Sequence, residues 1–237
     1  MQRIARGRVA IEFLREGGSL RFNQGFELVP YNDASLWAQI NSRFSDAVEQ
    51  HRASLLAEPS VGARERALAN LKETYDDCFG DSSKRRNLIS LFLYAGPINV
   101  PRRTRAFICR ELFARSRNDI DHECFWLRGS DDKCGVLYTG DGYLNTQRRL
   151  EQLTGYLGPA RIARLACLQV MHHGALPTWH SQVPGTLAPL TSVFSSNPEH
   201  RGYKHPNGIV LRSFLDCGPV QVDKENGLRL HFQSIVP

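Results

Sequence analysis

Two apolar runs that stop abruptly at chemically competent side chains constrain this chain more than any other feature. Val136-Leu-Tyr-Thr-Gly-Asp-Gly-Tyr143 ends in Asp141, set between two glycines. Leu168-Gln-Val-Met-His-His-Gly174 ends in the pair His172 and His173, followed at once by Gly174. A third histidine, His205, lies in Tyr203-Lys-His-Pro206, after the apolar run Ser192-Val-Phe-Ser195. One carboxylate and two imidazoles at the ends of adjacent strands suit a divalent metal of hard to borderline character. Taken singly, each admits a plainer role: a turn aspartate satisfying its own backbone, or histidines packed in loops.

The remaining pattern is that of an α/β chain. Val9, Ile11 and Phe13 alternate with polar or small residues, the period of a half-buried strand, and Ser19–Phe22 and Phe26–Pro30 suggest two more strands after a Gly17-Gly18 turn. A helix capped by Asn32 or Asp33 carries Trp37, Ile40, Phe44 and Val48 to about Leu55, and a second carries Leu68, Leu71, Tyr75 and Phe79 as far as Gly80. His51 reads as a surface residue. Asp81–Arg86 reads as a polar loop, and Asn87–Tyr94 as a buried strand. Within 98–133, Phe107–Phe113 suggests a helix and Phe125–Leu127 a strand. Asp119, Asp121, His122 and Glu123 between them read as an acidic surface loop. After Asp141 come a helix with Leu150, Leu153 and Leu157 on its apolar face, a strand over 166–171, and another over 191–195. A helix from Asn207 and a terminal hairpin around Glu225-Asn-Gly227 complete the chain. Trp179 is placed to wall the site.

Composition narrows the class. The 237 residues can bury one good core, and 41% hydrophobic with 23% charged residues is ordinary for a soluble globular protein. No run reaches the roughly 18 apolar residues of a membrane span, and Glu12, Arg15 and Glu16 interrupt any signal-peptide core. A cytoplasmic location is therefore expected. None of the cysteines at 78, 109, 124, 134, 167 and 217 forms a C-x-x-C pair, so all six are expected as free thiols. The net charge of +6, with clusters at Lys84–Arg86, Arg102–Arg105 and Arg148-Arg149, suits a phosphate-bearing substrate or nucleic acid.

The ordered set of Thr-Gly-Asp at a strand end, His-His-Gly-Ala and Gly-Tyr-Lys-His-Pro resembles the C-terminal half of the metallo-β-lactamase fold. The branch is that of DNA-uptake competence proteins and phosphorylcholine esterases. Upstream, Asn87-Leu-Ile-Ser-Leu-Phe-Leu is similar to the strand preceding Thr-Gly-Asp in that branch. The likeness spans roughly residues 87–215 with a departure at 98–133. It implies an incomplete αββα sandwich of mixed sheets flanked by helices, formed as a single domain over 1–237 with an insertion at 98–133. It implies a hydrolase with one or two zinc ions, manganese being an alternative, acting on a phosphodiester or related ester. Asp141 would bridge the metals and take part in catalysis. One of His172 and His173 would be a ligand, with His173 preferred. His205 would contact substrate or metal, or donate a proton, and Lys204 beside it would suit an anion. The chain departs from the family in having no H-x-H-x-D-H, the source of most of the first metal's ligands. A partner chain or a further segment would then complete the site. The competing expectations are a catalytically inactive remnant serving as an interaction or regulatory module, and a nucleic-acid-binding domain using the arginine clusters.

Overall fold

A computed structural model describes residues 18–22, 25–33, 41–57, 60–98, 104–113, 120–127, 132–197, 199, 202 and 205–234. The expected strand at Val9–Phe13, and Trp37 and Ile40 of the expected first helix, lie outside them. The chain groups into two compact units, one of residues 1–18 and 33–89, the other of 19–32 and 90–237.

The first unit is helical. Helix α1 (Ser42–Ala57) starts where Asn41 Oδ1 accepts from the Phe44 amide at 2.9 Å. Thus Asn41, rather than Asn32 or Asp33, is its capping residue. Helix α2 (Val61–Phe79) is capped by the Ser60 hydroxyl and stops at Gly80, whose φ is +89°. The two helices meet through aromatic edges: the Phe44 ring lies 5.1 Å from Tyr75 and 5.3 Å from Phe79. Leu68 is not on the packed face of α2; it is 55% exposed, and Ala63, Ala67 and Phe79 are the buried residues. Helix α3 (Ser83–Leu88) occupies what the sequence suggested was a loop running into a strand. Ser82 Oγ accepts from the Arg85 amide, and this local cap claims the polar residues for a helix.

The second unit holds a seven-stranded mixed sheet. Strands β1 (Leu20–Phe22), β2 (Phe26–Tyr31) and β3 (Phe92–Pro97) are antiparallel neighbours. Strands β4 (Thr104–Phe113) and β5 (Ile120–Trp126) belong elsewhere. Strand β6 (Gly135–Tyr138) continues the large sheet antiparallel to β3. From β6 onward the pairing is parallel. Helices α4 (Gln147–Leu157) and α5 (Pro159–Ala163) lead to β7 (Leu165–Gln169), α6 (Val183–Leu187) leads to β8 (Thr191–Ser195), and α7 (Gly208–Ser213) leads to β9 (Pro219–Val222). The spatial order is β1-β2-β3-β6-β7-β8-β9. Parallel neighbours need crossovers, and these place the carboxyl ends of β6, β7 and β8 along one rim. Four of the five β7 residues are buried, which explains its unbroken apolar run. Leu150, Leu153 and Leu157 of α4 share one core with Leu137, Leu165 and Leu168 of the sheet. A buried ion pair ties β2 to α5: Arg161 donates to both Glu27 oxygens, at 2.7 and 3.1 Å, and Glu27 is 4% exposed.

Phe107–Phe113 is strand, not the expected helix, Asp121–Glu123 is strand rather than loop, and Phe125 and Trp126 are strand as expected. β4 and β5 pair with each other and with β10 (Asn226–Ser234) as a separate three-stranded antiparallel sheet, in the order β10-β4-β5. Ile108 and Leu112 are as regular at a period of two as at four, so the local pattern cannot choose between strand and helix. The terminal hairpin is also corrected: β9 and β10 belong to different sheets, although Asp223 and Asn226 close a turn between them. The cysteine expectation fails too. Cys109 and Cys124 stand opposite each other in the β4–β5 register, with Cα atoms 4.1 Å apart, and form a disulfide. Disulfides persist mostly in oxidising compartments, so the cysteines do not carry the cytoplasmic expectation. Among the described residues no helix is long and apolar enough to cross a membrane.

Thiol titration of the denatured, unreduced chain should find four reactive cysteines and six after reduction; six before reduction would refute the pairing. Arg161→Met should lower the unfolding free energy by about 3 kcal/mol, because it strands a buried carboxylate. Adding Glu27→Leu should recover most of that loss in urea denaturation.

Candidate functional site

The rim at the carboxyl ends of β6, β7 and β8 is where ligands bind in open α/β sheets, and all four singled-out residues gather there. β6 runs into Thr139, buried with its hydroxyl donating to the Gln169 carbonyl at 2.7 Å. Gly140 then turns at φ +51°, and the Gly142 amide donates back to the Thr139 carbonyl at 3.0 Å. Asp141 is thus held at the apex of a tight turn. Glycine is obligatory at 142, where a Cβ would lie 1.9 Å from the Phe92 ring.

After β7, Met171 is buried and the chain enters the left-handed region for three residues in succession. The φ values are +44° at His172, +59° at His173 and +82° at Gly174. Glycine adopts this conformation freely, whereas each histidine loses about 1 kcal/mol in it. Strain of this kind survives where surrounding contacts over-determine it, and such places cluster at functional sites. Here the contacts are backbone hydrogen bonds. The His172 amide donates to the Gly140 carbonyl at 2.9 Å, the Ala175 amide to His172 at 2.9 Å, and the Asn207 amide to Gly174 at 3.0 Å. The turn carrying Asp141, the histidine pair and the loop carrying His205 are therefore linked through the main chain.

The side chains converge accordingly. His173 Nδ1 is hydrogen-bonded to the Ser195 carbonyl at the end of β8. A carbonyl only accepts, so Nδ1 carries the hydrogen and the neutral ring keeps its lone pair on Nε2. Nε2 lies 3.6 Å from Asp141 Oδ1, with both side chains half exposed. With the ring neutral, two acceptor atoms face each other, too far apart for a direct hydrogen bond and close enough to share a cation. The His172 ring centroid lies 5.7 Å from His173 and 5.9 Å from His205, and His173 lies 6.4 Å from His205. Burial, then the neighbouring His172 and His173, holds the His205 pKa below the usual imidazole range.

The geometry separates the two adjacent histidines. His173 turns its Nε2 toward Asp141, and the rings of His172, His173 and His205 stand at the corners of a nearly equilateral triangle. Trp179 packs against the core, partly buried. Asp119 and Lys204 lie outside the described residues, and Asp121, His122 and Glu123 fall in β5, not a loop. Two participants were missed in the sequence. Gln169 fixes the aspartate turn, its side-chain oxygen accepting from the Gly140 amide at 3.3 Å; its place in the last position of a buried strand was a usable signal. The Ser195 carbonyl had none. Among the described residues, no group of three or more His, Cys, Asp or Glu side chains has the geometry to hold a metal ion. Asp141 and His173 form a two-donor arrangement. No protein-family model, no curated protein and no solved structure matches this chain, and nothing in these comparisons identifies a metallo-β-lactamase fold.

Relieving the left-handed strain should stabilise the protein. His172→Gly should raise the unfolding free energy by about 1 kcal/mol, read as a higher urea midpoint. Gly174→Ala should lower it by about 2 kcal/mol, since it adds a Cβ 2.7 Å from the Phe194 ring at a φ of +82°. A lower midpoint for His172→Gly would mean that the His172 side chain supports the fold rather than a ligand.

Proposed function

We propose that this protein is a metal-dependent hydrolase of a phosphodiester or related ester, with Asp141 and His173 as two ligands of an open divalent-metal site. The observation that carries this reading is the facing pair Asp141 Oδ1 and His173 Nε2, 3.6 Å apart, with His173 fixed from behind by the Ser195 carbonyl. A tetrahedral zinc ion about 2.0–2.2 Å from each of two donors holds them about 3.3–3.6 Å apart. An imidazole locked through Nδ1 to a carbonyl is also the usual arrangement behind a metal-bound histidine. The pair therefore fits zinc, or manganese, as part of a ligand set. Further ligands would come from a partner chain, in keeping with the absent H-x-H-x-D-H.

When bound, a divalent ion supplies Lewis-acid charge and an acidified water for attack on the ester. The chain's own groups have separate tasks. Asp141 provides the anionic ligand from a turn closed by the Gly142 amide on the Thr139 carbonyl, with Phe92 close against Gly142. His173 is oriented by Ser195. His205, its pKa held below the usual imidazole range by burial and then by its imidazole neighbours, has the task of contacting substrate or metal, or of donating a proton at the rim. The metallo-β-lactamase-like αββα arrangement belongs to this reading, and so does a cytoplasmic location.

A second reading has its own support. With two donors converging among the described side chains, the same rim suits an inactive relative of a metal enzyme kept as an interaction or regulatory module. Zinc titration separates the two. The hydrolase reading expects calorimetric zinc binding to the full chain that weakens at least tenfold in Asp141→Ala and in His173→Ala, while unfolding midpoints in the absence of metal stay close to wild type. Hydrolysis of bis(p-nitrophenyl) phosphate should be lost in Asp141→Ala. Zinc binding that ignores both substitutions would remove the enzyme assignment.

A further inference from the structure

We infer that the Cys109–Cys124 bridge is a reversible redox switch, opened and closed by thiol–disulfide exchange at Cys124, which releases and locks strand β5. The two cysteines occupy unlike positions. Cys109 lies on β4, the middle strand of the small sheet, and is 6% exposed. Cys124 stands opposite it on β5 and is exposed. Among the described residues β5 pairs with β4 alone. The bridge therefore runs from the interior of the small sheet to its open edge, and a thiolate arriving from solvent meets Cys124 before Cys109. Exposed disulfides are the labile ones, whereas structural ones resist reduction.

The ladder around the bridge makes its opening reversible. β4 and β5 stay in register on both sides of it: Phe107 and Ile108 face Trp126 and Phe125, and Arg110 to Phe113 face Glu123 to Ile120. Reduction removes one covalent link from a strand pair that backbone hydrogen bonds still align. The two thiols are left facing each other, at the high effective concentration that favours reclosure. The other cysteines do not compete, because the thiolate is the exchanging species. Burial pushes the Cys134 thiol up to about 11 and the Cys167 thiol up to about 12, and it raises those of Cys78 and Cys217 as well. A chain stapled permanently for an oxidising compartment pairs its cysteines; this one bridges two and keeps four free.

In the exchange, one thiolate of a dithiol reductant attacks Cys124 Sγ. The S–S bond breaks and its electron pair leaves on Cys109 Sγ, which takes up a proton. The second thiol of the reductant, deprotonated, attacks the mixed disulfide at the reductant's own sulfur and releases Cys124 as a thiolate. The protein gains two electrons and the dithiol becomes a disulfide. Oxidised glutathione closes the bridge by the reverse displacements and ends as two glutathione thiols.

The test takes the full chain from oxidised glutathione into dithiothreitol without denaturant, then quenches in acid, denatures, alkylates and maps the labelled peptides. Cys109 and Cys124 should become labelled together, at reductant concentrations that leave the thermal unfolding transition in place. Samples returned to oxidised glutathione before the quench should carry neither label. Amides of 120–126 should exchange with deuterium about tenfold faster in the reduced form, while those of β6, β7 and β8 keep their rates. Cys124→Ser should show the fast β5 exchange in either buffer. Four results would overturn the switch: a bridge that opens only in denaturant, opening that unfolds the whole chain, reoxidation that spreads to the other cysteines, or β5 exchange that is equal in the two forms.

Discussion

The hydrogen bond from the His172 amide to the Gly140 carbonyl sets the geometry on which the rest of the rim depends. It joins the turn after β6 to the turn after β7 at fixed distance. Parallel pairing of β6 with β7 brings those turns side by side, but the strands alone would leave their tips free. With the bond made, the chain leaves β7 on the left-handed path of residues 172–174, and His173 Nε2 faces Asp141. The arrangement is thus written in the main chain, with the side chains as passengers. That distinguishes it from a surface ion pair, where two flexible side chains find each other at the cost of their own entropy.

The same dependence explains what could be read from the residues alone. The abrupt change from apolar to polar at Thr139–Asp141 and at His172-His173 marks strand ends, and strand ends on a parallel sheet share a rim. Helix α4 was legible because its cap Thr146, its leucines at 150, 153 and 157 and its terminal Gly158 are all local signals. The small sheet was not legible. β4 pairs with β10, more than a hundred residues away, and no local periodicity carries that information. The disulfide was missed for the same reason, since it depends on Cys109 and Cys124 falling opposite each other in register. The left-handed histidines were invisible because their letters favour no such conformation, and the Ser195 carbonyl because backbone atoms have no letter at all.

The two cohesive forces in the second unit are unlike in kind. Its core is a leucine-rich layer shared by α4 and the sheet, which tolerates repacking. Its opposite concern is charge: Glu27 is buried on β2 and paired with Arg161, a contact that adds little net stability and forbids loss of either partner. The rim of Asp141 and the histidines lies at the strand ends, where backbone hydrogen bonds join the turns.

The helical unit enters the chain between β2 and β3, which are direct neighbours with Tyr31 opposite Phe92. The ladder is therefore a hairpin whose connection holds sixty residues, from 32 to 91, in place of the usual two to five. Loop entropy grows only as the logarithm of length, so this enlargement costs the hairpin about 2–3 kcal/mol, a sum that the helices' own folding can offset. A strand pair that accepts so long a guest keeps its register by its own ladder, from Phe26 opposite Pro97 to Tyr31 opposite Phe92, and not by a short turn.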